Sequence, residues 1–245
     1  MVGPIVVTAS TEQELKLLIS ATGARAGSDV AGRPVYLGVC GGAAVYLAVT
    51  GIGKVNAAAA TMALFDRFSP SLVVNTGCAG AFPQSGLAVG DIALATSEVL
   101  GDEGVQTPDG WAPLKAIGIP SLTVGGVRYF NEFPLCRETA ARAAALAADR
   151  GIPLCTGRFV TVSTCSGTAA RGVELWERFG GLCENMEGAA VAQVALLCNV
   201  PCLEVRGVSN LVEDRDLARW DIPAAVSNAQ RFVLAFLERT ASALP

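Results

Sequence analysis

Short apolar runs alternate along the chain with longer helix-like segments, and this alternation limits the fold more than any other feature. The runs are rich in β-branched residues and have the length of buried strands; they lie at 4–9, 35–39, 45–50, 72–75, 89–99, 159–164 and 201–208. The helical segments between them include 135–149, 168–178, 188–198 and 223–239. This order predicts an α/β fold: a single three-layer domain over residues 1–245, with a central mixed, twisted β-sheet flanked by helices.

Residues 101–135 interrupt this alternation. They have weak periodicity and many Gly and Pro residues, together with Trp111, Tyr129, Phe130 and Phe133. We therefore predict a long loop region here, of the kind that often carries function when it is ordered.

The absence of histidine narrows the chemistry. With no His in 245 residues, Ser-His-Asp and Cys-His catalysis and His-ligated zinc sites are excluded. Acid–base steps would use carboxylates, amides, hydroxyls, thiols, lysine or water, and no metal or cofactor is expected. The eight cysteines contain no CxxC pair, which predicts small, reduced, buried side chains.

Composition also bounds the partners. The net charge is −4 and there is no basic run, which argues against a nucleic-acid partner. The mean hydropathy of +0.46 is high for a monomer and predicts a homodimer or higher homo-oligomer. Residues 1–4 carry no signal-peptide pattern, and the apolar helix at 188–198 is too short to cross a bilayer. We expect a cytoplasmic protein with no membrane partner.

The stretch from Cys183 to Ala190 places one carboxylate, Glu187, directly before a helix of small apolar residues. Acidic residues are favoured at helix N-termini, so a capping role is the simpler interpretation. The same residue follows a strand-like segment, however, and open α/β sheets bind ligands at strand-to-helix junctions. Which interpretation applies depends on what else reaches that crevice.

Three further segments have both a structural and a functional interpretation. Thr50–Lys54 resembles a phosphate-binding loop but lacks its first Gly and its final Ser or Thr. The small-residue stretch 75–80 reads as a tight loop that could approach a flat ligand. Ser209-Asn210 could form a turn or present an amide, and Glu14 could be a first-turn acid of a helix that begins at Ser10 or Thr11.

Together these segments resemble a known family. The order TGIGKVNAA, NTGCAGAF, LAVGDIALA, ENMEGAAVAQVA and RGVSN is similar to the purine nucleoside phosphorylase and nucleosidase superfamily over nearly the full chain. Within its nucleosidase branch, NTGCAGAFPQSGLAVGDIAL and RGVSNLVEDRD are most similar to the futalosine hydrolases. The resemblance implies a purine nucleoside phosphorylase-like fold and a small nucleoside as the substrate.

The resemblance also implies residue roles. Glu187 would bind the ribose hydroxyls while Met186 packs on the sugar, and Glu14 would activate water. Asn210 would hydrogen-bond N7 of the base. The lining of sugar and base would come from Cys78, Ala79 and Gly80, with further base contacts from 162–166.

Asn210 bears on which base is released. The resemblance implies that the adenine-releasing nucleosidases have Asp at this position. An amide NH₂ donates to N7 and to a 6-oxo oxygen but cannot act as a general acid. A polar group matched to one base is left unpaired with the other, which discriminates strongly. We therefore expect hypoxanthine as the leaving base.

Two further expectations concern the attacking group and the rest of the substrate. The phosphorylases of the superfamily need arginines around phosphate, and 8–12 and 75–77 contain none; hydrolysis is expected. The carboxylate on the futalosine tail needs a cation, and Arg128 is one candidate, although a solvated surface arginine is an equally good interpretation. The alternatives are a methylthioadenosine or S-adenosylhomocysteine nucleosidase, an inosine or guanosine phosphorylase, and a catalytically inactive purine-binding protein.

Overall fold

The computed structural model describes residues 3–242, which form an α/β structure around one large sheet. The strands are β1 (Ile5–Ala9), β2 (Arg25–Ala26), β3 (Val35–Cys40), β4 (Ala43–Val49), β5 (Leu72–Ala81), β6 (Ile92–Leu100), β7 (Gly104–Thr107), β8 (Gly110–Pro113), β9 (Leu122–Val124), β10 (Val127–Tyr129), β11 (Glu132–Pro134), β12 (Cys155–Thr161), β13 (Cys183–Asn185) and β14 (Cys202–Leu211). The helices are α1 (Lys16–Ala21), α2 (Lys54–Phe68), α3 (Leu114–Ile117), α4 (Arg137–Asp149), α5 (Ala169–Phe179), α6 (Gly188–Leu197) and α7 (Ile222–Ser242), with 3-10 turns at Pro83–Ser85 and Leu217–Arg219. The α/β class predicted from the sequence is confirmed.

The central sheet is mixed, as predicted. Its strand order is β11-β6-β12-β13-β5-β1-β4-β3-β2, and β14 pairs with both β5 and β6. Strand β1 is parallel to β4 and β5, and β14 is parallel to β5 but antiparallel to β6. Because β12 links β6 to β13 and β13 pairs with β5, these strands and β14 close into a ring of paired strands.

Helices cover both faces of the sheet, and β1 shows why. Val6 belongs to an apolar cluster that includes Leu64 of α2 and Val191 of α6. Ile5 and Val7 belong to a second cluster, formed with α1, α4 and α7. Successive side chains of a strand point to opposite faces, so a strand that is apolar throughout is buried on both. The predicted three-layer arrangement follows from this pattern.

Helix α7 lies directly against β14, and the contact depends on a missing side chain. A Cβ on Gly207 would stand 2.0 Å from the carbonyl oxygen of Ala225, so only glycine allows the two backbones to come this close. The backbone N–H of Asp221 also donates to the carbonyl of Ser209 at 2.8 Å. These contacts hold the start of α7 beside the carboxyl end of β14.

The predicted loop at 101–135 is wrong. The segment forms two hairpins, β7–β8 and β9–β10, with α3 between them. Strand β11 follows and pairs at the edge of the central sheet. Its strands are only three or four residues long, which is too short for side-chain alternation to be recognised. The Gly and Pro residues mark the hairpin turns rather than a continuous loop.

Two other boundaries differ from the prediction and both affect the site. The stretch 75–80, predicted as a loop, continues β5, because β14 pairs with β5 as far as Ala81. Helix α1 begins at Lys16 rather than at Ser10 or Thr11, so Glu14 is not a first-turn acid. Its carboxylate is occupied by other partners, described below.

The surface bears on the predicted oligomer. Large apolar side chains are exposed at Ile52, Val55, Met62 and Leu197, and assembly into an oligomer stays a prediction. No helix among residues 3–242 has the length and apolar character needed to span a membrane. All eight cysteines are free thiols, as expected, but Cys155 and Cys165 are exposed rather than buried.

Candidate active site

The carboxyl ends of the parallel strands β1, β5 and β14 meet at a cavity of about 310 Å³, which the ends of β12 and β13 complete. The lining residues are Ser10, Thr11, Gln13, Glu14, Ile52, Cys78, Ala79, Gly80, Val162, Cys165, Ser166, Glu184, Asn185, Met186, Glu187, Ser209, Asn210, Trp220, Ile222 and Val226. The lining contains seven residues that the sequence analysis assigned to the site: Glu14, Cys78, Ala79, Gly80, Met186, Glu187 and Asn210. The position matches the crevice at which open α/β sheets bind ligands.

Glu14 is held by the turn that follows β1. Its Oε2 accepts hydrogen bonds from the Ser10 hydroxyl at 2.6 Å and from the Thr11 backbone N–H at 3.0 Å and hydroxyl at 2.9 Å. Its Oε1 accepts from the backbone N–H of Cys78 at 3.0 Å. The side chain is 5% exposed. A carboxylate fixed by four donors at the cavity wall is preorganised to accept a proton from a bound water molecule.

Glu187 occupies the capping position of α6 but does not cap it. The free N–H groups of Glu187 and Gly188 instead donate to Oδ1 of Asn185, at 3.0 and 2.7 Å. The Glu187 carboxylate is therefore free to turn into the cavity. There its Oε1 accepts from the backbone N–H of Gly53 at 3.0 Å, and its Oε2 lies 3.4 Å from Nη1 of Arg206.

The hydrogen bond from Gly53 to Glu187 gives the stretch Thr50–Lys54 a structural role, which its comparison with phosphate-binding loops did not identify. In this Gly-rich turn the backbone N–H of Gly53 donates to Glu187. Burial raises the pKa of the Glu187 carboxyl, while the charge of Arg206 and the Gly53 hydrogen bond oppose that rise. The charged form of Glu187 therefore depends on both contacts.

Arg206 is the positive charge behind the cavity. Its guanidinium is almost fully buried, and it donates to Glu204 Oε1 at 2.9 Å and to the carbonyl of Cys78 at 3.2 Å. Burial alone would lower its pKa, but the charges of Glu204, Glu187 and Glu14 outweigh burial and raise it. A Cβ on Gly77 would stand 2.5 Å from Glu14 Oε1 and 2.8 Å from Arg206 Nη1, so glycine is required where these two groups come together.

Two buried carboxylates, Glu98 and Glu204, meet beneath the start of α6. A Cβ on Gly188 would stand 2.0 Å from Glu98 Oε1 and 2.5 Å from Glu204 Oε2. Burial, and then the charge of Glu204, raise the pKa of Glu98 well above its ordinary value. The raised pKa favours a proton on Glu98, which it can donate to Glu204 Oε2, an oxygen with no other hydrogen-bond partner among the described residues.

The protonated pair orients the residues that hold Glu187. Glu98 accepts from Asn185 Nδ2 at 2.6 Å and from the Thr161 hydroxyl at 2.7 Å. Asn185 then caps α6, as described above. Nothing in the sequence patterns pointed to Glu98 or Glu204, because each lies inside an apolar strand and has no spacing motif.

Asn210 directly follows an irregularity in β14. Between Val208 and Asn210 the register of β14 against β5 shifts. Bulges of this kind re-aim side chains and are common beside active sites. The Ser209 hydroxyl donates to Asn210 Oδ1 at 2.8 Å, and one N–H of Asn210 Nδ2 donates to the carbonyl of Leu211 at 3.0 Å. The amide oxygen is therefore already satisfied, and the second N–H of Nδ2 is available for a ligand.

Glu184 is a cavity acid that the sequence analysis missed. Its two oxygens accept from the backbone N–H of Ser166 at 2.8 Å and from the Ser166 hydroxyl at 2.6 Å. Burial raises its pKa, and the two Ser166 hydrogen bonds oppose that rise. Glu184 and Asn210 flank Gly80, since a Cβ there would stand 3.6 Å from Glu184 Cγ and 3.1 Å from Asn210 Nδ2.

The cavity lining also includes three sulfur-containing side chains, those of Cys78, Cys165 and Met186. The Cys165 thiol lies 3.3 Å from the sulfur of Met186, and burial raises the pKa of the Cys78 thiol to about 11. The lining also includes Ile52 and Trp220. Cys78 is thus protonated at neutral pH and unsuited to act as a nucleophile.

Arg128 does not line this cavity. Its guanidinium donates to the carbonyl of Gly118 at 2.6 Å and lies 5.4 Å above the ring of Phe130. Within residues 3–242, no group of three or more Asp, Glu or Cys side chains is placed to hold a metal ion.

The comparisons with known proteins agree with this geometry. Residues 4–238 match the phosphorylase superfamily. The chain belongs to this superfamily.

Relatives within it place the chain in the nucleosidase branch. It is 38% identical over 198 residues to a futalosine hydrolase of Thermus thermophilus, covering 81% of this chain and 83% of the relative. It is 35% identical over 208 residues to a 5′-methylthioadenosine/S-adenosylhomocysteine nucleosidase of Anoxybacillus flavithermus, covering 84% and 85%.

A solved structure extends the similarity to the fold. The crystal structure of a 5′-methylthioadenosine/S-adenosylhomocysteine nucleosidase from Neisseria meningitidis, in complex with methylthio-immucillin-A, superposes on this chain with a TM-score of 0.84. The two sequences are 26% identical. The match covers 97% of this chain and 100% of that one. The chain is accordingly an enzyme of this superfamily, an N-glycosidic hydrolase.

The shared proton of Glu98 and Glu204 makes a testable prediction for this superfamily member. Because the folded protein holds the Glu98 proton more tightly than the unfolded chain, that contribution is complete below the unfolded-state pKa and is lost as pH rises through the folded-state pKa. In Glu98→Gln, an amide replaces the protonated acid. We expect its free energy of unfolding, measured by urea denaturation from about pH 5 to pH 9, to decline less with pH than that of the wild type.

Glu177→Gln, at an exposed helix position, serves as the matched control and should keep the wild-type pH slope. Equal slopes for Glu98→Gln and the wild type, together with a loss above about 2 kcal/mol at every pH, would mean that Glu98 is not protonated in the fold.

Proposed function

We propose that this chain hydrolyses the N-glycosidic bond of futalosine, releasing hypoxanthine and dehypoxanthine futalosine, a step of the futalosine route to menaquinone. The observation that carries the proposal is the orientation of the Asn210 amide, whose oxygen accepts from Ser209 and whose nitrogen keeps one N–H for the ligand. The identity to the Thermus thermophilus futalosine hydrolase supports the same substrate.

Base selection follows from donor and acceptor chemistry at Asn210. Hypoxanthine presents two acceptors on one edge, N7 and O6, and the one free N–H of the amide can be shared between them as negative charge grows on the leaving base. Adenine presents a 6-amino donor beside N7, so it would face the amide donor to donor. A buried polar group left unpaired costs about 1–3 kcal/mol, which favours the 6-oxopurine.

Glu184 adds to this selection. It lies on the other side of Gly80 from Asn210 and lines the same cavity. The two Ser166 donors favour its carboxylate form, which accepts hydrogen bonds but cannot donate them. Hypoxanthine offers an N1–H donor to such a group, whereas adenine has an acceptor at N1. Both polar side chains at this end of the cavity therefore suit the same base.

The charge of the cavity favours water over phosphate. The lining includes Glu14, Glu184 and Glu187 and contains no Arg or Lys. Phosphate would meet carboxylates at short range without a cation to offset them, and its approach would be unfavourable. A water molecule beside Glu14 meets a fixed proton acceptor instead.

The reaction is then a hydrolysis through an oxocarbenium-like transition state. The bond from C1′ of the ribose to N9 breaks, and its electron pair leaves with the base, where Asn210 stabilises the growing negative charge. Glu187 binds the ribose hydroxyls and stabilises the positive charge on the sugar. Water adds to C1′ and passes one proton to Glu14, and the departing hypoxanthine takes up a proton from solvent.

Two alternatives remain to be tested against this proposal. A 5′-methylthioadenosine/S-adenosylhomocysteine nucleosidase is favoured by a relative at 35% identity, but it would need an adenine to pair with Asn210. A catalytically inactive purine-binding protein is disfavoured by the way Glu14 and Glu187 are held in place by several donors each. A cytoplasmic homo-oligomer stays part of the proposal, with the exposed Ile52, Val55, Met62 and Leu197 as candidates for the buried contact.

The direct test is an HPLC assay of futalosine, inosine and methylthioadenosine, each with and without phosphate. We expect hypoxanthine from futalosine at the highest kcat/KM, at a rate that phosphate does not change. Faster release of adenine from methylthioadenosine would assign the second candidate, and a phosphate requirement would replace hydrolysis with phosphorolysis.

The variant Asn210→Asp tests base selection. A carboxylate cannot donate to O6, so kcat/KM for hypoxanthine release should fall about 100- to 1,000-fold, the range seen when one transition-state donor is removed. Release of adenine from methylthioadenosine should increase relative to the wild type. Asn199→Asp makes the same chemical change at an exposed position outside the cavity lining and should leave both rates unchanged. An Asn210→Asp enzyme with the wild-type substrate preference would refute the base-recognition argument.

A further inference from the structure

The mouth of the cavity carries a cation that the proposed chemistry does not use. All charged residues of the lining are acids, and the buried Arg206 behind it is engaged by Glu204, Glu187 and the carbonyl of Cys78. An anionic group on the substrate would be repelled by the carboxylates that line the cavity. Such a group needs a cation at the rim, outside the acid-lined part of the cavity.

Arg215 is in that position. It lies in the segment between β14 and the 3-10 turn Leu217–Arg219, and its guanidinium carbon is 4.8 Å from the ring centroid of Trp220. Trp220 is itself a lining residue. The charge of Arg215 also reaches Cys165, another lining residue, because it opposes the rise that burial and Glu184 cause in the pKa of that thiol. Arg215 is exposed and is not itself a lining residue, so its guanidinium lies at the rim, against the ring of Trp220.

Arg215 has no anionic partner within residues 3–242, although three acids neighbour it in the sequence. Glu213 is paired with Arg219 at 2.5 Å. Asp214 accepts from the backbone N–H of Ala169, and Asp216 accepts from that of Ala218, both at 3.1 Å. Each nearby carboxylate is thus committed elsewhere, and the Arg215 guanidinium is left with its donors free.

The cavity divides into parts of different chemistry. Asn210 and Glu184 form the end that suits a purine, and Glu14 and Glu187 lie where a ribose would react. Part of the remaining wall is apolar and includes Ile52, Trp220 and Ile222. That wall suits an uncharged, flat or aliphatic extension of the sugar, and Arg215 lies against its aromatic member.

We propose that Arg215, stacked on Trp220, forms an anion subsite at the cavity mouth that binds the carboxylate of an aryl-carboxylate substituent carried by the ribose. An Arg guanidinium binds a carboxylate through two parallel N–H donors, and its stacking on the indole restricts its orientation in advance. The inference rests on the proposed function, since futalosine carries a benzoate in its tail. It moves the expected cation from Arg128 to Arg215.

The test is the ratio of kcat/KM for futalosine to kcat/KM for inosine, which lacks the anionic tail. In Arg215→Ala this ratio should fall about 10- to 100-fold, mainly through KM for futalosine, as expected for lost contacts to a charged group. Arg215→Lys keeps the charge without the fork and should give an intermediate ratio. Raising the salt concentration should reduce the wild-type ratio towards that of Arg215→Ala.

Arg128→Ala is the matched control, because Arg128 is also an exposed arginine stacked on an aromatic ring. It should keep the wild-type ratio. An unchanged ratio in Arg215→Ala, or a fall in Arg128→Ala in its place, would overturn the proposal.

A second readout separates the subsite from the proposed function. Benzoate and its neutral analogue benzamide are compared as competitive inhibitors of whichever nucleoside the wild type hydrolyses. Benzoate should inhibit the wild type more strongly than benzamide, and Arg215→Ala should remove the difference. If futalosine is not hydrolysed but this difference is present and depends on Arg215, the proposed function fails and the subsite stands; equal inhibition by the two compounds would remove the subsite.

Discussion

The structure around the cavity depends on one buried positive charge, the guanidinium of Arg206. It joins Glu204 on its own strand, the carbonyl of Cys78 on β5 and the carboxylate of Glu187 at the start of α6. A buried cation is stable only when it is paired and hydrogen-bonded, and removing one partner of such a pair typically costs about 3–5 kcal/mol. The strand ends that form the cavity are therefore held in one arrangement by a charge that cannot be left alone.

The same constraint explains the acids around it. With Glu204 and Glu187 both close to one guanidinium, a further ionised carboxylate at the fully buried Glu98 would add net negative charge, so burial and Glu204 raise the pKa of Glu98 and favour its protonated form. The proton in turn fixes Asn185, and Asn185 caps α6 so that Glu187 is free to face the cavity. Glu187 looks like a capping acid in the sequence, but the amide of Asn185, two residues earlier, caps α6 in its place.

Much of this arrangement could be predicted from the sequence, and the reasons for the failures are physical. Strands such as β1, buried at each position and apolar at all but Thr8, were recognised because burial on both faces leaves a nearly continuous apolar run. The residues at strand ends were recognised through the resemblance of whole motifs. Glu14 was assigned to a helix turn because three of its four donors come from a bend that has no periodic signature, and the fourth comes from Cys78 on β5. Glu98, Glu184 and Glu204 were missed since, apart from the pair of Glu204 with Arg206, their hydrogen-bond partners lie 18 to 129 residues away in the chain.

In the proposed reaction Glu14 accepts the proton of the attacking water. This role is tested by measuring kcat for hypoxanthine release from futalosine by Glu14→Gln. The amide preserves the shape of the side chain but cannot take a proton. The account predicts a fall in kcat of about 100- to 10,000-fold, with a melting temperature near that of the wild type and full activity in the control Glu12→Gln, a neighbouring exposed acid. A folded Glu14→Gln enzyme that keeps more than about a tenth of the wild-type kcat would contradict it.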